Sequence, residues 1–298
     1  MTSSTSGACC VCGKETTQRC GACGRAGFSL FFCSLEHQKL VWFAHKPFCG
    51  PNSKPFTFPL LSKEEAQKAQ ERLHNQYAVL GGPTVSLADE LVALHFDSNR
   101  PWIPNCEFES FIDSLQMHQS SSTRFSRDER NQLLCTIRGA LRSAHANFSQ
   151  NLTAKGYMTR ADAIPLEYLS PLFTVSKFAS RVASTFQASS MPPFPSSEEW
   201  YIEALHTASS FSALNYLVHQ EVLRLSKLSP PPKENPVGKK LGKYIWDTAQ
   251  RLVDLGNDLR QANPTAGQAV LAGTKAILMG SNLALEQRGG RACLTIDG

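Results

Sequence analysis

The 298-residue sequence contains no uninterrupted apolar run that approaches 18 residues, the length needed for a helix to cross a bilayer. The most apolar stretch, AVLAGTKAILMGSNLALE, carries Lys275 and Asn282 and is better explained as a buried helix. The first residues, MTSSTSG, lack the basic and apolar regions of a secretory signal peptide. We therefore expect a protein without a membrane segment that is not secreted and resides in the nucleus or the cytoplasm.

Short catalytic motifs are also missing. The sequence has no Walker loop for phosphate, no G-x-G-x-x-G after a strand and no G-x-S-x-G elbow around a nucleophilic serine. It has no run of alternating apolar and polar residues long enough to predict a sheet. These absences favour a mostly α protein that is not an enzyme, although an all-α enzyme without a short motif would escape this search.

Cysteine, in contrast, is concentrated near the N-terminus. Seven of the ten cysteines lie within residues 9–49, where two C-x2-C pairs precede two pairs of ligands spaced four residues apart. The four pairs are Cys9 with Cys12, Cys20 with Cys23, Cys33 with His37, and His45 with Cys49. C-x2-C is the usual turn by which two thiolates bind zinc, and residues i and i+4 share one face of a helix. Eight ligands complete two closed tetrahedral shells, so we predict two structural Zn2+ ions.

Several alternatives bear on this prediction. Disulfides are a weaker explanation because they need an oxidising compartment, which nothing in the sequence indicates. Four ligand pairs can be joined into two sites in three ways, and the spacing alone leaves that choice open. Cys10 is an extra thiol, since only Cys9 has the two-residue gap to Cys12. The formal charge of +5 falls to +3 when six thiolates (−6) and two Zn2+ (+4) are counted, which does not favour nucleic-acid binding.

The order of the ligands resembles the MYND zinc finger, whose pattern runs C-x2-C, C-x2-C, C-x3-C-Q, W-x2-H-K and a final cysteine. The residues that match are Cys9, Cys12, Cys20, Cys23, Cys33, Gln38, Trp42, His45, Lys46 and Cys49. His37 stands where the family usually has cysteine, and nine residues separate Cys23 from Cys33. The resemblance implies a cross-braced pair of sites. One zinc is then held by Cys9, Cys12, Cys33 and His37, and the other by Cys20, Cys23, His45 and Cys49.

The resemblance also implies a peptide-binding surface. In the MYND family the residues that match Gln38 and Trp42 help to line a shallow groove that binds proline-rich peptides in extended form. These two residues are four apart and lie about 100° around the expected helix from the ligand face. A tryptophan ring suits proline, because a proline-rich segment is already extended and loses little entropy on binding.

The rest of the chain is predicted to be helical. We expect a disordered N-terminus at 1–8, the finger at 9–49, a linker at 50–60, an all-α helical domain at 61–287 and a loose tail at 288–298. The stretch SPPPKENP at 229–236 is a possible division of the helical domain. The expected fold is thus a small irregular two-zinc cross-brace finger followed by an all-α domain.

Local signals within the helical domain are clearest at helix starts. Ser62 with Glu65, and Ser126 with Glu129, have the spacing of a capping box. Apolar periodicity predicts the last two helices at 239–262 and 265–286.

These features together predict a zinc-binding adaptor protein whose finger docks a protein partner through a proline-rich peptide. Two other functions stay open. The first is an enzyme, for example a transferase, with an all-α catalytic region and the finger as a docking arm. The second is a nucleic-acid-associated regulator, which would require Lys39, Lys46 and the Lys239, Lys240 and Lys243 cluster to meet on one face.

Overall fold

The computed structural model describes residues 6–78, 84–96, 108–116, 126–154, 170–187, 198–228, 234–278, 281 and 283–296. Within these ranges the chain is mostly helical, as predicted, and its strands form three antiparallel pairs. None of the described helices is long and apolar enough to span a membrane. The chain divides into two compact units: one joins Met1–Thr57 to Leu169–Gly298, and the other is Phe58–Tyr168.

The first unit begins with the short elements of the cysteine-rich segment. They are β1 (Gly7–Ala8), β2 (Glu15–Thr16), α1 (Gly21–Arg25) and α2 (Leu35–His45), followed by 3-10 turns at Lys46–Phe48 and Gly50–Asn52. Helix α2 begins where it does because Ser34 is its N-cap, with Oγ accepting a hydrogen bond from the His37 backbone N–H at 3.2 Å. This cap places Cys33 and His37 at one end of α2 and His45 at the other.

Residues 50–60, expected to be a linker, carry aromatic side chains that are buried in the unit to which each belongs. Phe56 is fully buried and stacks on Phe48, with ring centroids 4.6 Å apart. Phe58 is buried in the second unit, where its backbone N–H donates to Asn131 Oδ1 at 3.0 Å. Although this segment is rich in proline, its phenylalanines are buried, so it is not a loose linker. The boundary between the two units falls between Phe56 and Phe58.

The described residues of the second unit form helices and one short strand pair. Its elements are α3 (Lys63–Glu71), β3 (Tyr77–Ala78), β4 (Thr84–Val85), α4 (Leu87–Phe96), α5 (Phe108–Ser114) and α6 (Arg127–Ala154). Both predicted capping boxes form, because Ser62 and Glu65 exchange hydrogen bonds at the start of α3 and Ser126 and Glu129 do so at the start of α6.

A fully buried arginine connects α6 to the start of α3 in this unit. Arg138 donates to both carboxylate oxygens of Glu65 and to the carbonyl oxygens of Pro59 and Leu60, over distances of 2.8 to 3.0 Å. A buried charge is tolerated only when it is paired and its donors are satisfied. The Arg138 network meets both conditions and fixes the entry of the chain into α3.

The first unit resumes with four helices: α7 (Pro171–Gln187), α8 (Glu199–Ser226), α9 (Pro236–Ala262) and α10 (Pro264–Leu278). Helices α9 and α10 correspond to the predicted helices at 239–262 and 265–286. Helix α9 begins earlier than expected because Asn235 Oδ1 accepts from the Gly238 N–H at 2.8 Å and Pro236 occupies the first turn. Most of the predicted break at 229–236 lies outside the described residues.

Helices α9 and α10 approach each other closely at two glycines. A Cβ atom on Gly267 would lie 2.4 Å from the backbone N of Arg260 and 2.6 Å from the carbonyl O of Gly256. A Cβ atom on Gly256 would lie 2.7 Å from Leu271. The absence of side chains at these positions is what lets the two backbones come together.

The C-terminal residues form a β-hairpin where the sequence suggested the end of a helix and a loose tail. Strands β5 (Leu283–Arg288) and β6 (Arg291–Ile296) pair antiparallel around Gly289 and Gly290, both of which have positive φ. Such a two-residue turn favours glycine at both positions. The side-chain amide of Asn257 on α9 anchors the hairpin, donating to the Ala292 carbonyl at 2.8 Å and accepting from its N–H at 3.0 Å.

Candidate metal centre

The eight predicted ligands lie in two groups of four. The first group is Cys9, Cys12, Cys33 and His37, and the second is Cys20, Cys23, His45 and Cys49, with the ligand atoms of each group within 4.8 Å of one another. The first ligand pair of the sequence thus joins the third, and the second joins the fourth, as the cross-braced arrangement requires. Within the described residues every cysteine is a free thiol.

The distances in the first group, here called site 1, fit a tetrahedral metal ion. Sγ of Cys12 lies 3.6 Å from Sγ of Cys33, and Nδ1 of His37 lies 3.6 Å from Sγ of Cys9 and 3.2 Å from Sγ of Cys33. Bonds from Zn2+ of about 2.3 Å to sulfur and about 2.0 Å to nitrogen separate tetrahedral ligand atoms by about 3.5–3.8 Å. The ligand atoms of site 1 therefore need to move by only a few tenths of an ångström to hold the ion.

The second group, site 2, has the same dimensions. Sγ of Cys49 lies 3.6 Å from Sγ of Cys20 and 3.8 Å from Sγ of Cys23, and Nε2 of His45 lies 3.4 Å from Sγ of Cys23. Each site offers three sulfur atoms and one imidazole nitrogen, a donor set that suits Zn2+. The two Cys3His sites fit two zinc ions.

Burial and mutual hydrogen bonds shift the pKa values of the three thiols of site 2 in different directions. Hydrogen bonds from the Cys23 thiol and from His45 lower the pKa of Cys20 to about 3. The hydrogen bond to Cys20, together with burial, raises the pKa of Cys23, and burial raises that of Cys49. Three thiolates so close together repel one another, and a divalent cation removes that repulsion and allows all three to ionise.

Both C-x2-C segments form the tight turns that this chemistry needs. In the first, the Gly13 N–H donates to the Cys9 carbonyl at 2.9 Å, and Gly13 adopts φ +72°. In the second, the Gly24 N–H donates to the Cys20 carbonyl at 3.0 Å. Each turn aims two thiols at one point. Of the other ligands, His37 and His45 lie on α2, Cys33 directly precedes its N-cap and Cys49 directly follows the 3-10 turn. With four protein ligands each, the sites have the closed shells of structural zinc.

The zinc-binding segment lies directly on helix α8 of the same unit. Ser209 Oγ donates to the Ala44 carbonyl at the end of α2, at 3.1 Å. The extra thiol of the first turn, Cys10, is buried with its Sγ 2.9 Å from Ser210 Oγ. Both serines are buried, so these contacts replace hydrogen bonds to water.

A buried histidine on α8 completes this interface. The ring of His206 stacks on Phe28 with centroids 5.2 Å apart and lies 5.4 Å from the rings of both Phe56 and His45. No described residue forms a hydrogen bond with either of its ring nitrogens. Burial, with the nearby His45, lowers the pKa of His206 well below its usual value, so the ring fills this space as a neutral, largely apolar group.

The predicted peptide-contacting residues lie on α2. Trp42 is 40% exposed and packs edge-on against the His45 ring, at 5.7 Å, while Gln38 is half-buried. Leu35 and Phe43 on the same helix are also exposed, and Phe43 contacts the Tyr216 ring of α8 at 5.6 Å. Three large apolar side chains of α2, those of Leu35, Trp42 and Phe43, are therefore exposed to solvent.

Sequence reasoning missed the residues through which α8 and α9 support the finger. They are His206, Ser209 and Ser210 on α8, and Tyr244 and Arg251 on α9. One signal was present, because HTASSFSA within α8 is a run of mostly small residues. Small residues allow the backbone of another element to approach closely, and these are buried.

Residues 9–49 match the family model of the MYND finger. No curated protein and no solved structure matches the chain.

The fold and the two sites thus define a zinc-binding finger built onto a helical unit. The finger is of the MYND type, a class of zinc-binding domain that mediates protein interactions.

Proposed function

We propose that this protein is an adaptor whose finger binds a proline-rich segment of a protein partner across Trp42 and Gln38. The observation that carries the proposal is the exposure of Trp42 on a helix whose opposite side is fixed by zinc ligands and by α8. An aromatic ring that only stabilised the finger would be expected in its interior. Leu35 and Phe43 on α2 are exposed apolar side chains as well.

The rigidity of α2 favours binding of an extended peptide. The helix is held at its ends by ligands of both sites, Cys33 and His37 at the start and His45 at the end. A surface that is ordered before binding loses little entropy when the peptide arrives. The Trp42 ring offers a face for proline, and the Gln38 amide can donate to or accept from the peptide backbone.

Two features support a non-catalytic role in a reducing compartment. The zinc shells are filled by protein ligands, which leaves no coordination position for a substrate or an activated water. Seven thiols within one small segment need a reducing environment to bind metal rather than form disulfides, which favours the nucleus or the cytoplasm.

The test is a binding experiment with full-length protein and a library of proline-rich peptides, scored against the same peptides with every proline replaced by alanine. Trp42→Ala should weaken binding of the selected peptide at least tenfold while two zinc ions per chain are retained. Val237→Ala is a matched control, since Val237 is an exposed apolar residue on α9, outside the finger. Unchanged affinity in Trp42→Ala would refute the proposed surface, and loss of zinc in that variant would show that Trp42 supports the finger instead.

A further inference from the structure

Site 1 has a partner on helix α9 that lies outside the zinc-binding segment. His37 directs Nδ1 toward the ligand sulfurs of Cys9 and Cys33, and its other ring nitrogen, Nε2, lies 3.0 Å from Oη of Tyr244. The two rings are nearly perpendicular, at 78°, with centroids 5.0 Å apart. The contact joins residues 207 positions apart in the sequence.

The direction of this hydrogen bond follows from the chemistry of the ligand. An imidazole that binds a metal through Nδ1 must be neutral and must carry its proton on Nε2. The Nε2–H of His37 therefore donates to the Tyr244 hydroxyl oxygen. The hydroxyl accepts this hydrogen bond and fixes the plane of the ring, and loss of such a partner commonly weakens metal binding about 10- to 100-fold.

A second residue on the same face of α9 reaches the same site. Arg251, two turns along the helix from Tyr244, donates from Nη1 to the carbonyl oxygen of Cys9 at 2.8 Å. Cys9 and His37 are both ligands of site 1. Helix α9 thus contacts two of the four residues that hold one metal ion, and both contacts are polar and directional.

Among the described residues, the histidine of site 2 has no partner like Tyr244, so site 2 provides an internal comparison. Its histidine, His45, faces the ligand sulfurs through Nε2, and no described residue forms a hydrogen bond with its Nδ1. Its neighbour on α8 is the ring of His206, which lies 5.4 Å away. Removal of the Tyr244 hydroxyl should consequently affect one site and leave the other unchanged.

We propose that Tyr244 is a positioning residue for the metal of site 1: its hydroxyl accepts from Nε2–H of His37 and holds the ring in the plane that binds the metal, so that retention of this zinc depends on helix α9. The finger is then not a self-sufficient zinc module. One of its two ions is bound tightly only while α9 is docked.

The test is to load full-length protein and its variants with 113Cd2+, whose two NMR signals can be assigned to the sites through couplings to the ligand cysteines. A competing chelator then measures metal loss from each site separately. In Tyr244→Phe, the site 1 ion should be lost at an about 10- to 100-fold lower chelator concentration than in the unaltered protein, and the site 2 ion at the same concentration. Tyr216→Phe is the matched control, because the Tyr216 ring contacts Phe43 and no ligand.

A second measurement, on the unaltered protein and on Tyr244→Phe, separates positioning from simple packing. In the 15N spectrum of the histidine rings of the zinc-loaded protein, His37 should show metal-bound Nδ1 and a proton on Nε2 that exchanges slowly with water. In Tyr244→Phe, which keeps the aromatic ring, that proton should exchange faster. The proposal is overturned if His37 binds metal through Nε2, if both sites lose metal equally, or if site 1 is unaffected. Metal bound through Nε2 in the unaltered protein would overturn the proposal even if the variant failed to fold.

Discussion

The one thiol of the finger that belongs to neither zinc site, Cys10, lies 2.9 Å from Ser210 on helix α8, and both residues are buried. The Cys10 thiol also lies 3.7 Å from the carbonyl oxygen of His206, so Sγ can donate there while the Ser210 hydroxyl donates to the sulfur. Burial raises the pKa of Cys10, and its contact with Ser210 keeps the thiol out of the ligand group that contains Cys9. Cys10 thus joins the Cys9–Cys12 turn to helix α8.

Cys10→Ala should therefore destabilise the protein without changing its metal content. The substitution leaves the Ser210 hydroxyl buried without this partner, at an expected cost of about 1–3 kcal/mol in the free energy of unfolding. Urea denaturation of the zinc-loaded protein measures the loss, and elemental analysis should still find two zinc ions. Cys293→Ala, at a half-buried position on β6, is the control and should lose less. A drop to one zinc would instead identify Cys10 as a ligand.

Removal of metal should loosen helix α8 as well as the finger. Structural zinc contributes folding free energy on the order of 10 kcal/mol, and the finger covers the buried half of α8 around His206, Ser209 and Ser210. After chelation with EDTA, backbone amides of residues 204–214 should exchange with deuterium faster, and readdition of Zn2+ should restore their protection. Protection unchanged by EDTA would mean that α8 is stable without the finger.

Loss of a single zinc ion should also loosen helix α8. Cys23→Ser should release about one zinc, because a thiolate ligand of site 2 is replaced by a hydroxyl that binds zinc poorly. Exchange in α8 should rise in this variant too, though less than after full chelation. Retention of both zinc ions in Cys23→Ser would contradict the site assignment.

The metal ligands could be predicted from the sequence because their geometry is local. A C-x2-C turn places two ligand atoms together whatever the rest of the chain does. The i, i+4 pairs are local too, but the expected shared helix face is not formed, because Cys33 precedes α2 and Cys49 follows the 3-10 turn. Which pairs combine is not local, and the prediction of the cross-brace depended on the resemblance to the MYND finger. The grouping of Cys33 with Cys9 rather than with Cys20 required the fold of the whole segment.

The supporting residues could not be predicted because nothing near them in the sequence marks their role. Tyr244 and Arg251 reach site 1 only when α9 returns to the N-terminal segment, about 200 residues later in the chain. The hairpin was missed for a different reason. Its first strand continues an apolar stretch that favours a helix, and the decisive signal was the Gly289–Gly290 pair between two six-residue strands.

The close approach of α9 and α10 predicts opposite effects for two glycine substitutions. Gly267→Ala places a Cβ 2.4 Å from the Arg260 backbone, so the helices must separate, which should lower the free energy of unfolding by about 1–3 kcal/mol. Gly242, exposed on α9, has no atom within 4 Å of its would-be Cβ. Gly242→Ala should stabilise the protein by about 0.5–1 kcal/mol through helix propensity. Equal effects of the two substitutions in urea denaturation would contradict this packing.

The charge around Trp42 predicts which peptides bind best. Lys39 on α2 and Lys46, directly after its last residue, are exposed three residues before and four residues after Trp42, so both lie beside Trp42. A proline-rich peptide with a flanking aspartate or glutamate should therefore bind more tightly than its asparagine or glutamine counterpart. Each exposed ion pair contributes about 0.2–1 kcal/mol, which corresponds to an about 1.5- to fivefold change in Kd.

This preference should disappear in the double variant Lys39→Gln and Lys46→Gln and should weaken as salt is raised, because exposed charges are screened. Lys14→Gln is the control, since Lys14 is exposed in the first metal turn and not on α2. Isothermal titration with the acidic and neutral peptides at two salt concentrations gives all the required constants. If the acidic peptide keeps its advantage in the double variant, its carboxylate contacts another part of the protein and the peptide does not lie along α2 beside Trp42.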